Sequence, residues 1–499
     1  MSWNDILAEL ERKREFARSM GGEARLEKHR AAGKLDARAR VAALFDDGVF
    51  TEIGALAGNL SEAGEYPAPA DGLIAGFGLV NGRPVLAAAE DFTVMGGSIG
   101  DAAAAKRFRI TQLALQERVP LVFMLEGAGH RLTNHHSTPS PNDLQGLAQL
   151  SGLVPMVCLV MGSSAGHGAL TAPLSDFVVM TPAAALFVAG PPIVKAAIGE
   201  VVSKEQLGGP DVHLVSGVAH NAAANDADAV ALARRYLSYF PDNAWAIAPV
   251  AEGGDTGPRR LEGILDLISP DPRVPFDGRV LVAMVADEGS VLEVQPKYGG
   301  ALITALARLG GVSVAVVANN PAVGAGAVDA AAAQKAARFM QVADAFHLPV
   351  VFLTDNPGVM PGSAAERAAA LRHAAHMFAV QHRLRVPKLH VTLRKAFGFG
   401  SSIMGMNPFD NQTLSLAFPA ISLGAMPADA GASAAKLDDE ARREAIARQT
   451  GSAWGLGHKM AFDDIIDPRE LRNALLEGLN LMRNRRTGEF APTAHVGLA

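Results

Sequence analysis

One pattern occurs twice in this chain, and it limits the available folds more than any other feature. Met156 to Ala172 reads as a short buried strand, a glycine-rich turn (Gly162-Ser163-Ser164-Ala165-Gly166-His167-Gly168) and the first turn of a helix. The pattern returns as Leu389 to Leu393, then Ala396-Phe397-Gly398-Phe399-Gly400-Ser401-Ser402. Aligning Pro120 with Pro349 sets Lys106 on Lys335, Arg109 on Arg338, Gln112 on Gln341, Glu126 on Asp355 and Gly129 on Gly358. Aligning Pro155 with Pro387 sets Gly166-His167-Gly168 on Gly398-Phe399-Gly400. Two strand–turn–helix junctions in the same order indicate a duplicated α/β unit. Backbone N–H groups at such a turn, with a helix dipole behind them, suit a developing negative oxygen. The chain is therefore expected to carry two copies of one oxyanion-binding unit.

The length fits two domains, set at 1–250 and 251–499, with a Pro-, Gly- and Asn-rich linker between Pro241 and Pro258. A 49% share of hydrophobic residues against 19% charged fits a well-buried globular chain. The net charge of −6, without a basic tract, argues against nucleic acid as a partner. Cys158 is the only cysteine and lies in an apolar run, which excludes an intramolecular disulfide or a multi-cysteine zinc site. The N-terminal stretch alternates charged and apolar residues and reads as an amphipathic helix rather than a signal peptide. No uncharged run reaches membrane-spanning length, so a cytoplasmic protein is expected.

Further along the chain, strands are expected at Phe50–Ile53, at a hairpin around Asn81-Gly82, at Leu121–Leu125, Phe177–Met180 and Ala185–Val188. Helices are expected from Gly100 to about Glu117 and over Asp226–Tyr239 and Arg260–Ile268, and strands at Val280–Ala286 and Val291–Val294.

Several motifs resemble the carboxyltransferase subunits of biotin-dependent acyl-CoA carboxylases, of the propionyl-CoA carboxylase beta type. They are Gly33-Lys34-Leu35-Asp36-Ala37-Arg38-Ala39-Arg40 through Phe50, Asp91 through Gly100, Glu205 through Gly209, Ser216–Ala219, Asp355–Gly362, Arg394–Gly398 and Met404-Gly405. The resemblance implies two tandem crotonase-like domains built from spiral ββα units, the first on the acyl-CoA side and the second on the carboxybiotin side. It also implies a dimer-based hexamer with each active site between the first half of one subunit and the second half of another. Biotin would arrive on a partner carrier supplied with a biotin carboxylase, because Gly457-His458-Lys459-Met460 is no biotinylation motif. By resemblance, the enolate donors map to Gly166 and His167, and those for the biotin ureido oxygen to Phe399 and Gly400. Gly127, Ala128, Gly129, Gly168, Gly398, Ser401 and Ser402 would border the substrates. The biotin nitrogen can take the α-proton, so no protein base is required. The family has adjacent glycines at both turns, where this chain has Gly166-His167 and Gly398-Phe399.

Other readings compete. A decarboxylase subunit has the same chemistry in reverse, and a degenerate copy would serve only to hold a complex together. Gly162-Ser163-Ser164-Ala165-Gly166 matches a hydrolase nucleophile turn, but Ser164 aligns with Ala396 in the second copy. His130, His135 and His136 share a loop without a matching carboxylate pattern, so no metal is expected. Gly96–Gly100 could approach CoA, and Lys106, Lys335 and Arg394 could meet phosphate or carboxylate, although solvated basic residues are commoner.

Overall fold

The computed structural model describes residues 2–58, 67–131, 142–449, 453–486 and 490–492. It divides into two compact units, Met1–Ala244 and Trp245–Ala499.

The first unit opens with three helices, Trp3–Arg18, Glu23–Ala31 and Ala37–Leu44. Its strands are β1 (Phe50–Ile53), β2 (Leu73–Val80), β3 (Arg83–Glu90), β4 (Leu121–Gly127), β5 (Met156–Ala165), β6 (Phe177–Met180), β7 (Ala185–Phe187) and β8 (Asn221–Ala222). The sheet order is β1-β2-β3-β4-β5-β6-β8, and β7 pairs with the end of β5. β1, β2 and β3 are antiparallel; from β3 onward the neighbours are parallel. Parallel neighbours need crossovers, and the helices Asp101–Glu117 and Asp143–Leu150 supply two of them. Leu86, Phe123, Met156, Cys158 and Val178 from the sheet pack with Ile110, Ala114, Leu147 and Leu150 from those helices. Burial pushes the Cys158 thiol far above its ordinary range, so it is an inert core residue.

The second unit repeats this plan. Its strands are β9 (Leu292–Val294), β10 (Leu302–Leu309), β11 (Val312–Asn319), β12 (Val350–Asn356), β13 (Lys388–Phe397), β14 (Gln412–Ala417), β15 (Ser422–Gly424) and β16 (Asp464–Ile465). The order β9-β10-β11-β12-β13-β14-β16, with β15 on the end of β13, matches the first sheet strand for strand. The register repeats too: Leu121 pairs with Met156, and Val350 with Lys388. Both β4 and β12 shift register near their C-terminal ends, between Leu125 and Gly127 and between Thr354 and Asn356.

Two expectations fail here. Val280–Ala286 is not a strand but part of the helix Gly278–Val285. The Asp277 carboxylate caps it by accepting the Arg279 N–H at 2.9 Å. Leu281, Val282 and Val285 are buried while Val280 is 47% exposed, a helical spacing that an apolar run of β-branched residues conceals. The helix expected over Arg260–Ile268 shrinks to Ile264–Leu267, because the Leu261 N–H bonds the Arg469 carbonyl at 2.9 Å.

Candidate active site

In the first unit two chain segments meet beyond the C-terminal ends of β4 and β5. At the last residue of β4, Gly127 pairs in register with Ser164. The Ala128 N–H then bonds the Gly96 carbonyl at 3.1 Å, and the Gly129 carbonyl accepts the Ile99 N–H at 2.8 Å. These bonds hold the segment that leads to His130.

After β5, Gly166 turns the chain with φ +59°, and a short helical turn, Gly168–Leu170, follows. The Gly166 N–H is bonded to the Phe187 carbonyl at 3.0 Å, as an extension of the β5–β7 ladder. The N–H expected to serve as a donor at Gly166 is thus already engaged within its own sheet. The N–H groups at the start of a helical turn have no intrahelical acceptor, which makes His167 and Gly168 the donors that this turn offers.

The second unit builds the same turn with different contacts. Gly398 has φ +54°, and a Cβ there would lie 2.6 Å from the Ala425 carbonyl oxygen. The helix Gly398–Ile403 starts directly after β13, and Phe397 gives it no side-chain cap. Phe399 and Gly400 thus sit in its first turn, where N–H groups lack intrahelical partners. Asn356 fixes the approach: its Nδ2 donates to the Gly400 carbonyl at 2.8 Å, and its Oδ1 accepts the Gly358 N–H at 2.9 Å. The Ser401 hydroxyl turns back to the Gly398 carbonyl at 2.7 Å, while Ser402 is half-buried. Phe399 is 42% exposed and packs on Phe378, ring centroids 5.9 Å apart.

The His167 side chain has a partner of its own. Its Nε2 lies 2.5 Å from Asp143 Oδ1, and its ring meets that of His130 edge-on at 4.6 Å. Asp143 Oδ2 accepts Arg107 Nε at 2.6 Å. Arg107 also donates to Glu90 Oε1 at 3.0 Å and to Thr171 Oγ1 at 2.8 Å. Burial acts to raise Asp143, but the Arg107 guanidinium and the His167 hydrogen bond hold it well below the ordinary carboxylate range. Burial pushes Glu90 up, against the pull of Arg107. This chain of groups was missed in the sequence. Its signal was Arg107 lying on the same helix stripe as Ala103, Ile110 and Ala114, all of them buried.

The remaining candidates have other roles. Lys106 is buried and donates to the Ala70 and Leu73 carbonyls; Lys335 is buried and reaches the Gln295 carbonyl at 3.3 Å. Burial lowers Lys106 to about 8 and Lys335 to about 7. Neither is the solvated helix residue expected. Arg394 meets a carboxylate, but it is the buried Asp355 of its own unit, at 2.5 Å. The Ser164 hydroxyl is buried without a hydrogen-bond partner among the described residues, so no histidine base meets it there. His135 and His136 lie outside the described residues. Among the described residues no group of three or more His, Cys, Asp or Glu could hold a metal ion.

Duplicated α/β units, each with a helix-start turn directly after its long central strand, define a crotonase-like architecture. The carboxyl transferase domain family matches residues 28–496, and the chain belongs to that family. Methylmalonyl-CoA decarboxylase subunit alpha of Veillonella parvula is 34% identical, over 95% of this chain and 95% of its own. The methylmalonyl-CoA carboxyltransferase 12S subunit of Propionibacterium freudenreichii subsp. shermanii is also 34% identical, over 96% of this chain and 94% of its own. Propionyl-CoA carboxylase beta chain of Roseobacter denitrificans is 32% identical, with 96% and 97% covered. The crystal structure of transcarboxylase 12S, a hexamer with methylmalonyl-coenzyme A and methylmalonic acid bound, superposes with a TM-score of 0.91 at 32% identity, covering 100% of this chain and 99% of that one.

Proposed function

We propose that this chain is a biotin-dependent acyl-CoA carboxyltransferase subunit, moving CO2 from carboxybiotin on a partner carrier to the α-carbon of an acyl-CoA. The observation that carries the reading is the repeated turn: two helix starts, each placed by a glycine at positive φ directly after a central strand. Loss of the α-proton leaves charge on the thioester oxygen, and loss of CO2 leaves charge on the ureido oxygen. Each charge calls for preorganised N–H donors, and one such donor is worth roughly 2.7–4 kcal/mol of barrier. In the first unit the donors are His167 and Gly168, with Gly127, Ala128 and Gly129 bordering the acyl group. In the second they are Phe399 and Gly400, with Gly398, Ser401 and Ser402 alongside. The first unit serves the acyl-CoA and the second the biotin, with their boundary in the Pro241–Pro258 stretch.

The assembly carried over from transcarboxylase 12S is a hexamer, joined here by a biotin carboxylase and a biotin carrier. No helix of the described residues is long and apolar enough to cross a membrane, which supports the cytoplasm as the place of work. The Veillonella relative favours a second reading, in which the chain removes CO2 from an acyl-CoA and passes it to biotin.

The test is a purified complex with carrier and biotin carboxylase, assayed for ATP-dependent fixation of labelled bicarbonate over a panel of acyl-CoAs. Carrier-dependent labelling is expected. Loss of label from carboxylated acyl-CoA, without fixation, selects the decarboxylase. No turnover in either direction by an assembled complex reduces the chain to a structural subunit.

A further inference from the structure

We propose that His167 is a catalytic base, giving this chain a second activity: enolising its bound acyl thioester without carboxybiotin. The inference rests on the acyl-CoA reading of the first turn. It starts from a coincidence of position. His167 supplies a backbone N–H at the start of the helical turn, and its imidazole grows from the same Cα. A thioester oxygen seated on that N–H brings its α-carbon within one side chain's length of the ring. Reach is the first requirement of a general base.

The second requirement is a fixed orientation and a free lone pair. The Asp143 carboxylate is ionised and can only accept, so the ring nitrogen 2.5 Å from it, Nε2, carries the hydrogen. The lone pair then sits on Nδ1. Asp143 is itself clamped by Arg107 at 2.6 Å, and Arg107 by Glu90 and Thr171, so the orienting group does not wander. His130 closes one side of the ring at 4.6 Å. A base held by a carboxylate, which is held in turn, is the arrangement that acid–base sites share. The His167 side chain is 18% exposed, enough for a captured proton to exchange with water.

The step balances within the named groups. The α C–H proton moves to Nδ1, the C–H pair becomes the C=C bond, and the carbonyl pair moves to oxygen, on the turn's N–H donors. Asp143 faces the imidazolium. Reversal returns a proton, or a deuteron after exchange, to the α-carbon. The second unit has no such device, because Phe399 stands at this place and packs on Phe378.

The test uses the full chain alone in D2O with propionyl-CoA or acetyl-CoA, without carrier, ATP or bicarbonate. Mass spectrometry reads deuterium at the α-carbon, and calorimetry reads acyl-CoA affinity in the same samples. Deuterium is expected in the wild type. It should fall about 100-fold or more in His167→Gln at unchanged affinity and melting temperature. Asp143→Asn should fall less, and a folded His167→Asn should match the glutamine variant. Bound acyl-CoA without exchange, or exchange that survives in both His167 variants, overturns the proposal and leaves the carboxyltransferase reading standing. Failure of the wild type to bind any acyl-CoA overturns both.

Discussion

Phe399 packs its ring on Phe378 at a centroid distance of 5.9 Å, in the place where His167 meets Asp143 in the first unit. Both pairs join the residue after the turn glycine to the helix between the two central strands, Ala370–Arg383 in one unit and Asp143–Leu150 in the other. The duplicated turn has diverged in its side chains while keeping its backbone. One copy places a histidine hydrogen-bonded to a carboxylate here, the other an apolar ring. Aromatic pairs contribute about 0.5–1.5 kcal/mol beyond their buried area. Phe399→Ala is therefore expected to raise KM for the biotinylated carrier by about 3- to 10-fold, through lost contact and a looser turn. Steady-state titration of the carrier checks this. The deuterium exchange assigned to His167 should not change.

The two turn glycines differ in how much room they have, and this separates their alanine variants. At Gly166 the nearest atom to a Cβ is 3.8 Å away, so Gly166→Ala pays only the left-handed backbone strain, roughly 1–2 kcal/mol. At Gly398 the same strain is joined by a 2.6 Å clash with the Ala425 carbonyl, which cannot swing aside as a side chain would. Gly398→Ala should cut carboxyl transfer by about 100-fold or more, against less than about 10-fold for Gly166→Ala. Parallel kcat measurements on the assembled complex decide it.

The duplication was legible because its demands are local. Gly166 and Gly398 occupy turns where a positive φ is needed, and the flanking prolines and apolar runs fix the offset between copies. What the turns bond to was not legible. That the Gly166 N–H meets Phe187 depends on β7 folding back beside β5. The acid at the end of each strand shows the same limit. Asp355 takes Arg394 from its own repeat, but Gly162 stands at the matching place in the first unit. Glu126 instead draws Lys34 and Arg40, the latter at 2.7 Å, from the N-terminal helical segment far away in sequence. Val280–Ala286 failed for another reason: an apolar run of that length fits either period until its neighbours are known.

Arg107 offers a test of the buried charge chain itself. It is fully buried and stacks its guanidinium over Phe123, 4.8 Å from the ring centroid, while holding Glu90 and Asp143. Arg107→Met keeps much of the volume but leaves two buried carboxyls facing each other. Removing one partner of a buried pair costs roughly 3–5 kcal/mol. The first-unit unfolding transition should weaken by about that amount in urea titrations near neutral pH. The loss should be smaller at low pH, where both carboxyls can be protonated. Equal destabilisation at both pH values would mean that Arg107 acts through packing alone.

His390 sets a pH limit on the second unit. It is fully buried in β13, with Nδ1 3.0 Å from the Met404 carbonyl and Nε2 2.8 Å from Thr392 Oγ1. A carbonyl only accepts, so Nδ1 carries the hydrogen and Nε2 takes the Thr392 hydroxyl, which is the neutral imidazole. Burial lowers the folded value from 6.5 to about 4. Between those values the unfolded chain binds the extra proton and the folded chain does not, so stability rises with pH. The contribution is complete above pH 6.5 and is lost as pH falls toward 4. A drop of that size, at about 1.36 kcal/mol per unit, is worth roughly 3 kcal/mol. Calorimetric melting of the chain from pH 7 to pH 4 should show this loss, and His390→Gln should flatten it, since an amide can bond Met404 without titrating. An unchanged slope in that variant would assign the acid sensitivity to other groups.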